Sequence, residues 1–240
     1  MKKIITSVNN PEIKELKKLL KHNSKKDDVF LIEGYHLVEE AMKHNFVLKT
    51  YETDKNVKYE QSIIITENVL NALANTKTPE GIIALCKKLN VPKASNKIVF
   101  LDNVQDPGNV GTIIRTSKAF GFDTIYSNAN FYNDKIIRST QGALFDASLI
   151  NYDDAYSALK NLKEQGYVIY ATSLEKDSIS YLDAKYNEDK IIILVGNEGN
   201  GVNPKLYELA DYKIYIPIKF ESLNVGIATG IILNHIYNEK

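Results

Sequence analysis

Between residues 96 and 240 the chain repeats one pattern: a short run dominated by β-branched and aromatic residues, then a stretch with helical spacing. The runs are Ile98-Val99-Phe100-Leu101, Thr124-Ile125-Tyr126, Val168-Ile169-Tyr170-Ala171, Ile191 to Val195 and Tyr212 to Ile216. A strand with one wet face alternates polar and apolar residues, whereas runs this apolar belong to strands buried on both faces. Helical stretches over Val110 to Phe120, Tyr152 to Glu164 and Leu223 to Tyr237 separate them. Strands alternating with helices predict an α/β fold, a parallel sheet covered on both faces. Hydrophobic residues make up 44% and charged residues 25% of the 240, which excludes a disordered chain. No apolar run approaches the about 20 residues of a membrane span. The start, Met1-Lys2-Lys3-Ile4-Ile5-Thr6-Ser7, turns polar at once, so no signal peptide is expected and the cytoplasm is the expected location. The single cysteine, Cys86, excludes an internal disulfide and a cysteine-built metal site. His22, His36, His44 and His235 have no metal-ligand spacing.

The first 95 residues read as a separate, smaller mixture of helix and strand. Asn10-Pro11 is an N-cap followed by proline at the first helical position, with Ile13, Leu16, Leu19 and Leu20 at helical spacing behind it. Val29 to Ile32 is a short strand, and Leu37, Val38, Ala41 and Met42 mark a second helix. Ile63-Ile64-Ile65 reads as a buried strand entering a helix at Thr66, and Gly81 to Leu85 as another strand. The polar stretch Asn90 to Asn96, with Pro92, is the expected linker. Two domains are therefore expected, over residues 1–92 and 93–240.

The formal net charge is zero, but residues 1–95 carry 16 Lys against 12 acidic residues, and residues 96–240 carry 14 basic against 18 acidic. A basic first domain suits a polyanion. Of 30 basic residues 28 are Lys; Arg115 and Arg138 are the two arginines. In a chain so biased to lysine, each arginine is expected where a planar, bidentate donor is needed.

Ligands of open parallel sheets bind beyond the carboxyl ends of the strands, and three such ends carry unusual loops. The first is Asp102-Asn103-Val104-Gln105-Asp106-Pro107-Gly108-Asn109-Val110-Gly111. With a helix starting near Asn109, Arg115 follows six residues on, and both side chains are expected to border one cleft. The second loop is Gly196-Asn197-Glu198-Gly199-Asn200-Gly201. The third is Pro217 to Val225, where Ser222 is the expected cap of the last helix, followed by the small residues Gly226, Ala228, Thr229 and Gly230. Neither glycine loop matches the dinucleotide-binding or Walker A pattern.

Asn109-Val110-Gly111-Thr112-Ile113-Ile114-Arg115-Thr116, Val195-Gly196-Asn197-Glu198-Gly199-Asn200-Gly201 and Ser222-Leu223-Asn224-Val225 resemble, in order and spacing, the three motifs of the SpoU/TrmH family. These are RNA ribose 2′-O-methyltransferases of the SPOUT class. The first segment resembles the family's ribosomal-protein-like substrate-binding domain through Asn10-Pro11-x-x-Lys14, Phe30-Leu31-Ile32-Glu33-Gly34 and Thr78-Pro79-Glu80-Gly81-Ile82-Ile83-Ala84. The resemblance implies a small α/β RNA-binding domain followed by a parallel-sheet domain tied in a deep trefoil knot. It implies transfer of a methyl group from S-adenosyl-L-methionine to a ribose 2′-hydroxyl, with ribosomal RNA of the large subunit ahead of tRNA as substrate. It also implies a homodimer formed through the C-terminal domain. By the same resemblance Arg115, Asn109, Glu198, Ser222 and Asn224 are the catalytic set. Thr172, Gly196, Ile216 and Leu223 border the methyl donor, and Arg138, Ser139 and Lys14 meet RNA. The loop Ile218-Lys219-Phe220-Glu221 is about two residues shorter than is usual for the family, and Gly226 stands where Ser or Ala is common. The alternatives are a tRNA ribose methyltransferase and a catalytically silent RNA-binding member of the same fold.

Overall fold

The computed structural model describes residues 3–22, 27–88, 94–219 and 221–239. The expected boundary at 92/93 and most of the linker lie outside them, as does Phe220. The chain divides into two compact units, one of residues 1–90 with 132–145 and the other of residues 91–131 with 146–240.

The first 90 residues give β1 (Ile4–Ile5), α1 (Pro11–His22), β2 (Val29–Glu33), α2 (Tyr35–Lys43), β3 (Val47–Thr53), β4 (Ile63–Ile65), α3 (Glu67–Leu73) and β5 (Ile82–Lys87). Next come β6 (Lys97–Leu101), α4 (Pro107–Ala119) and β7 (Thr124–Ser127), then α5 (Asp134–Thr140). The chain finishes with β8 (Ser148–Asn151), α6 (Ala155–Glu164), β9 (Val168–Thr172), β10 (Ile179–Ser180), β11 (Ile191–Val195), α7 (Pro204–Tyr207), β12 (Tyr212–Tyr215) and α8 (Val225–Asn238).

In the first unit the sheet order is β1-β4-β3-β5-β2, with β5 antiparallel to both β3 and β2. Ile13 and Leu16 of α1 and Val69, Leu70 and Leu73 of α3 pack with Ile5, Tyr51, Ile65 and Ile83 into one buried cluster. The segment 132–145 joins through aromatic contacts: Phe30 meets Tyr132 at 4.6 Å between ring centroids, and Phe46 meets Phe145 at 5.0 Å.

The central strand β3 has no counterpart in the sequence reading, for a physical reason. Its buried residues are Thr50, Tyr51, Glu52 and Thr53, while Leu48 is exposed and the register shifts between Val47 and Lys49. The pattern is thus inverted at one end. Glu52 is fully buried yet accepts hydrogen bonds from the Tyr35 hydroxyl (3.0 Å) and the Lys58 and Tyr59 amides (2.9 and 3.0 Å), which offsets its desolvation.

The second unit holds the expected parallel sheet, in the order β10-β12-β9-β11-β6-β7-β8 with every pairing parallel. Ile98, Phe100, Ile192 and Leu194 pack with Leu159 and Leu162 of α6. Alternation turns Val99, Leu101, Ile193 and Val195 the other way, and they are equally buried. The helices α4 and α8 lie side by side. Gly226 permits this approach: a Cβ there would meet Asn224 Oδ1 at 3.2 Å and the Thr112 methyl at 3.3 Å, whereas one on Gly230 would make only an ordinary contact with the Thr116 methyl at 3.4 Å. Gly226 is thereby accounted for by packing.

Three boundaries differ from expectation. The helix α4 begins at Pro107 rather than near Asn109, because Asp106 caps it. Tyr152 precedes α6 instead of starting it, its hydroxyl donating to the Leu101 carbonyl at 2.6 Å, and Asp154 is the cap. The cap of α8 is Asn224, not Ser222. The strand β8 and helix α5 are too short to leave a periodic signal of their own.

Candidate active site

The site is built where β6 and β11 end side by side, with the Asp102 amide donating to the Val195 carbonyl at 2.8 Å. Beyond β11, a cross-bridge between Asn197 and Gly201, with both amide-to-carbonyl bonds at 2.9 Å, folds Asn197 to Gly201 into a tight turn. A Cβ on Gly196 would overlap the backbone of Gly201 and Val202, so only glycine fits there. The Asn197 side-chain oxygen accepts the Gly199 and Asn200 amides, and its NH2 donates to the Asn103 carbonyl at 3.0 Å.

Beyond β6, Asn103 has φ 56°, a left-handed conformation that asparagine tolerates better than most residues. Its side-chain oxygen accepts from Gln105 Nε2 (3.0 Å) and Asn128 Nδ2 (3.1 Å). The Asp106 carboxylate then accepts the Asn109 amide at 3.0 Å to start α4. Asp102 is buried and accepts the Asn203 amide at 2.7 Å; burial pushes its pKa up despite that bond.

These two loops and the cap of α8 are joined by one hydrogen-bonded chain. Glu198 accepts from the Gln105 amide (3.1 Å), the Asp106 amide (3.2 Å) and Asn109 Nδ2 (2.9 Å). Asn109 Oδ1 accepts from Asn224 Nδ2 at 2.9 Å, and Asn224 Oδ1 accepts the Gly226 and Ile227 amides at 2.9 and 3.3 Å. The polarity of the chain follows from its ends. An ionised carboxylate only accepts, so Asn109 must offer its NH2 to Glu198 and its oxygen to Asn224. Asn224 then has its oxygen free for the helix amides. Burial alone would raise the Glu198 pKa, but the bonds from Asn109, Gln105 and Asp106 outweigh it and hold the carboxyl below its ordinary value. Glu198 is therefore ionised and fully engaged at neutral pH, which suits an anchor and not a general base.

Arg115 stands apart from this chain. Six residues turn a helix through about 600°, so Arg115 leaves α4 about 120° round from Asn109. It is exposed, and among the described residues nothing hydrogen-bonds or ion-pairs with its guanidinium. Ser222 is exposed two residues before the cap of α8. Thr172 ends β9, Gly196 follows β11 and Ile216 follows β12, three strands adjacent in the sheet. Thr172 donates its hydroxyl to the Leu194 carbonyl at 3.2 Å, and Leu223 is 38% exposed nearby in sequence to the cap of α8. Lys14 is exposed on α1. Arg138 and Ser139 lie on α5, in the first unit, where Arg138 Nε and Nη2 both donate to Asp134 Oδ2 at 3.0 and 2.7 Å. Asn103 and Asn197 join the predicted residues in the site; an asparagine two residues beyond a strand and one inside a glycine turn are the signals that mark them.

Residues 96–234 match the SpoU rRNA Methylase family, and residues 10–84 match an MRM3-like substrate binding domain. The chain is 35% identical over 248 aligned positions to a 23S rRNA (guanosine(2553)-2′-O)-methyltransferase of Bacillus subtilis, covering 98% of this chain and 99% of that one. A tRNA (guanosine(18)-2′-O)-methyltransferase of Aquifex aeolicus is 39% identical over 147 positions, covering 60% of this chain and 69% of the relative. Among solved structures, an AdoMet-bound rRNA methyltransferase from Sinorhizobium meliloti superposes with a TM-score of 0.83 at 26% identity, over 97% of this chain and 96% of that one. The chain belongs to the SpoU rRNA methylase family.

Proposed function

We propose that this chain transfers a methyl group from S-adenosylmethionine to a ribose 2′-hydroxyl of ribosomal RNA. The observation that carries the reading is the chain Glu198–Asn109–Asn224, which ties the three motif loops into one polar constellation at the carboxyl ends of the sheet. Ribosomal RNA is favoured over tRNA because the relative aligned over nearly the whole chain acts on 23S rRNA, whereas the tRNA-modifying relative aligns with 60% of it. The match of residues 10–84 to a substrate-binding domain supports the same choice.

Thr172, Gly196, Ile216 and Leu223 are the residues that hold the methyl donor in this reading. Bound there, the donor supplies a methyl group on a positively charged sulfur, whose departure needs no acid. The protein's task is then to orient a weakly acidic hydroxyl. Arg115, with its donors free among the described residues, holds the ribose or its phosphate. A guanidinium does not lose its proton in a protein, so Arg115 works by orientation and charge. Asn109 and Asn224 fix the loop geometry around the ribose, Glu198 keeps them in register, and Ser222 lines the approach. Lys14, Arg138 and Ser139 contact RNA. Domains over 1–92 and 93–240, a trefoil knot, a homodimer through the second domain and a cytoplasmic location belong to the same reading. Ile227 and Tyr237, 58% and 54% exposed on α8, support a further protein surface there.

Calorimetric titration with S-adenosylmethionine tests the reading together with single-turnover transfer by Arg115→Lys. Donor binding with a transfer rate reduced at least about 100-fold in the variant is expected. No donor binding favours the silent RNA-binding alternative.

A further inference from the structure

The first unit contains a cavity of about 170 Å³ whose walls include Glu33, His36, Thr78, Glu80, Arg138 and Gln141. That is below the roughly 300–1,000 Å³ of sites that enclose a whole drug-sized ligand, so its occupant is a fragment of one nucleobase's size. The wall is built and held. Gln141 takes φ 50°, a left-handed conformation uncommon outside glycine, and its carbonyl accepts His36 Nε2 at 3.2 Å. The Gln141 side chain turns back to the Arg138 carbonyl at 2.9 Å.

Two groups in this wall have capacity left. Asp134 Oδ2 takes Nε and Nη2 of Arg138, which fixes the plane of the guanidinium and leaves Nη1 without a partner among the described residues. Glu33 is turned to the Asn75 and Thr76 amides and the Thr76 hydroxyl. Glu80 uses Oε2 for the Tyr35 amide at 3.0 Å, and its Oε1 has no partner among the described residues. A planar cationic donor and an open carboxylate thus share one small cavity. One common ligand edge answers both: guanine offers O6 and N7 as paired acceptors, the commonest specific contact of arginine, and N1–H and N2–H as paired donors for a carboxylate.

We propose that this cavity is a subsite for one unstacked guanine of the RNA substrate, with Arg138 donating to O6 and N7 and Glu80 accepting from N1–H and N2–H. The proposal rests on the reading that the chain binds RNA, and it adds a base identity read by residues of the first unit, whereas Asn109, Glu198 and Asn224 belong to the other. It also accounts for an arginine at 138 in a chain that uses lysine for 28 of its 30 cations: a point charge does not match two acceptors in a plane.

The test is competition binding of the full chain with the trinucleotides UGU, UAU, UCU and UUU, and with UGU carrying 7-deazaguanosine or inosine. UGU is expected to bind at least about tenfold more tightly than the others. Loss of N7 (7-deazaguanosine) or of the 2-amino group (inosine) should each remove most of that preference. Arg138→Lys should abolish the 7-deazaguanosine effect, and Glu80→Gln the inosine effect. Thermal melts accompany both variants, and should either unfold, the two modified trinucleotides decide the matter on the unaltered chain. Equal binding of all four trinucleotides, a preference for another base, or a 7-deazaguanosine effect that survives in Arg138→Lys overturns the proposal. Methyl transfer to long RNA is read separately: guanine preference without transfer overturns the catalytic reading alone, and transfer without guanine preference overturns this one alone.

Discussion

Asn109 Nδ2 donates to Glu198 Oε1 at 2.9 Å, and this bond sets the direction of the side-chain bonds that run on through Asn224 to the start of α8. It draws the turn after β11 onto the first turn of α4. Replacing Asn109 by Asp puts a second carboxylate against Glu198 and removes the donor. In the native chain Glu198 has its pKa lowered, so its charge is present at neutral pH and is lost only as pH falls through that lowered value. In Asn109→Asp the two carboxylates compete, one pKa rises, and transfer is expected to fall about 100-fold at pH 7.5 and to recover partly as pH drops towards 5. A pH–rate profile checks this; a flat profile matching that of Asn109→Ala contradicts it.

Asn224 does two jobs that substitution can separate. Serine keeps an N-cap oxygen for the Gly226 amide but cannot reach Asn109 with an NH2. Asn224→Ser is expected to lose under about 0.5 kcal/mol of stability, against about 0.5–2 for Asn224→Ala. Both variants should lose transfer to a similar extent. Denaturant melts beside single-turnover rates check the split. Equal stability losses would mean that capping is not what Asn224 contributes.

Two glycines with different surroundings make a paired prediction. At Gly196 a Cβ overlaps the backbone of Gly201 and Val202, so Gly196→Ala is expected to cost about 3 kcal/mol or more and to weaken donor binding. At Gly230, inside α8, a Cβ meets a methyl at 3.4 Å, an ordinary contact. The helix propensity gained by alanine, about 1 kcal/mol, should leave Gly230→Ala neutral or slightly stabilised. Melting temperatures of the pair check both expectations.

How far the sequence was legible follows the same physics. Strands buried on both faces, such as Ile98 to Leu101 and Ile191 to Val195, announce themselves because no polar residue interrupts them. The strand Val47–Thr53 does not, because its buried end carries Thr50, Glu52 and Thr53, each satisfied by a partner or strand position that no local pattern reveals. Asn109, Glu198 and Asn224 were legible through motif resemblance, yet their mutual bonds span 89 and 115 residues. The assignment of the α8 cap to Ser222 failed because Asn224 is equally good capping chemistry two residues on. The scarcity of arginine marked Arg115 and Arg138 together, whereas the fold assigns them to different units.

The first unit makes an acid-stability prediction. Burial would raise the Glu12 pKa, but bonds from Lys3, Tyr51 (2.8 Å) and Lys49 (3.0 Å) prevail and lower it from 4.5 to about 2. A carboxylate with a depressed folded pKa stabilises the fold above its unfolded pKa and loses that contribution as pH falls through the folded one. Glu12→Gln is therefore expected to melt below the native chain at pH 7, by a difference that shrinks between pH 4.5 and about 2. A gap that stays constant across that range contradicts the assignment.

The most direct test of the central claim is to incubate the chain with methyl-labelled S-adenosylmethionine and separate pools of unmodified ribosomal RNA and tRNA. The RNA is then digested to nucleosides, and the label is located by mass spectrometry. The account predicts label in the ribosomal RNA pool, on a ribose as a 2′-O-methyl nucleoside. Label on a base, or no label in either pool with Asn109, Arg115, Glu198 and Asn224 intact, would contradict it.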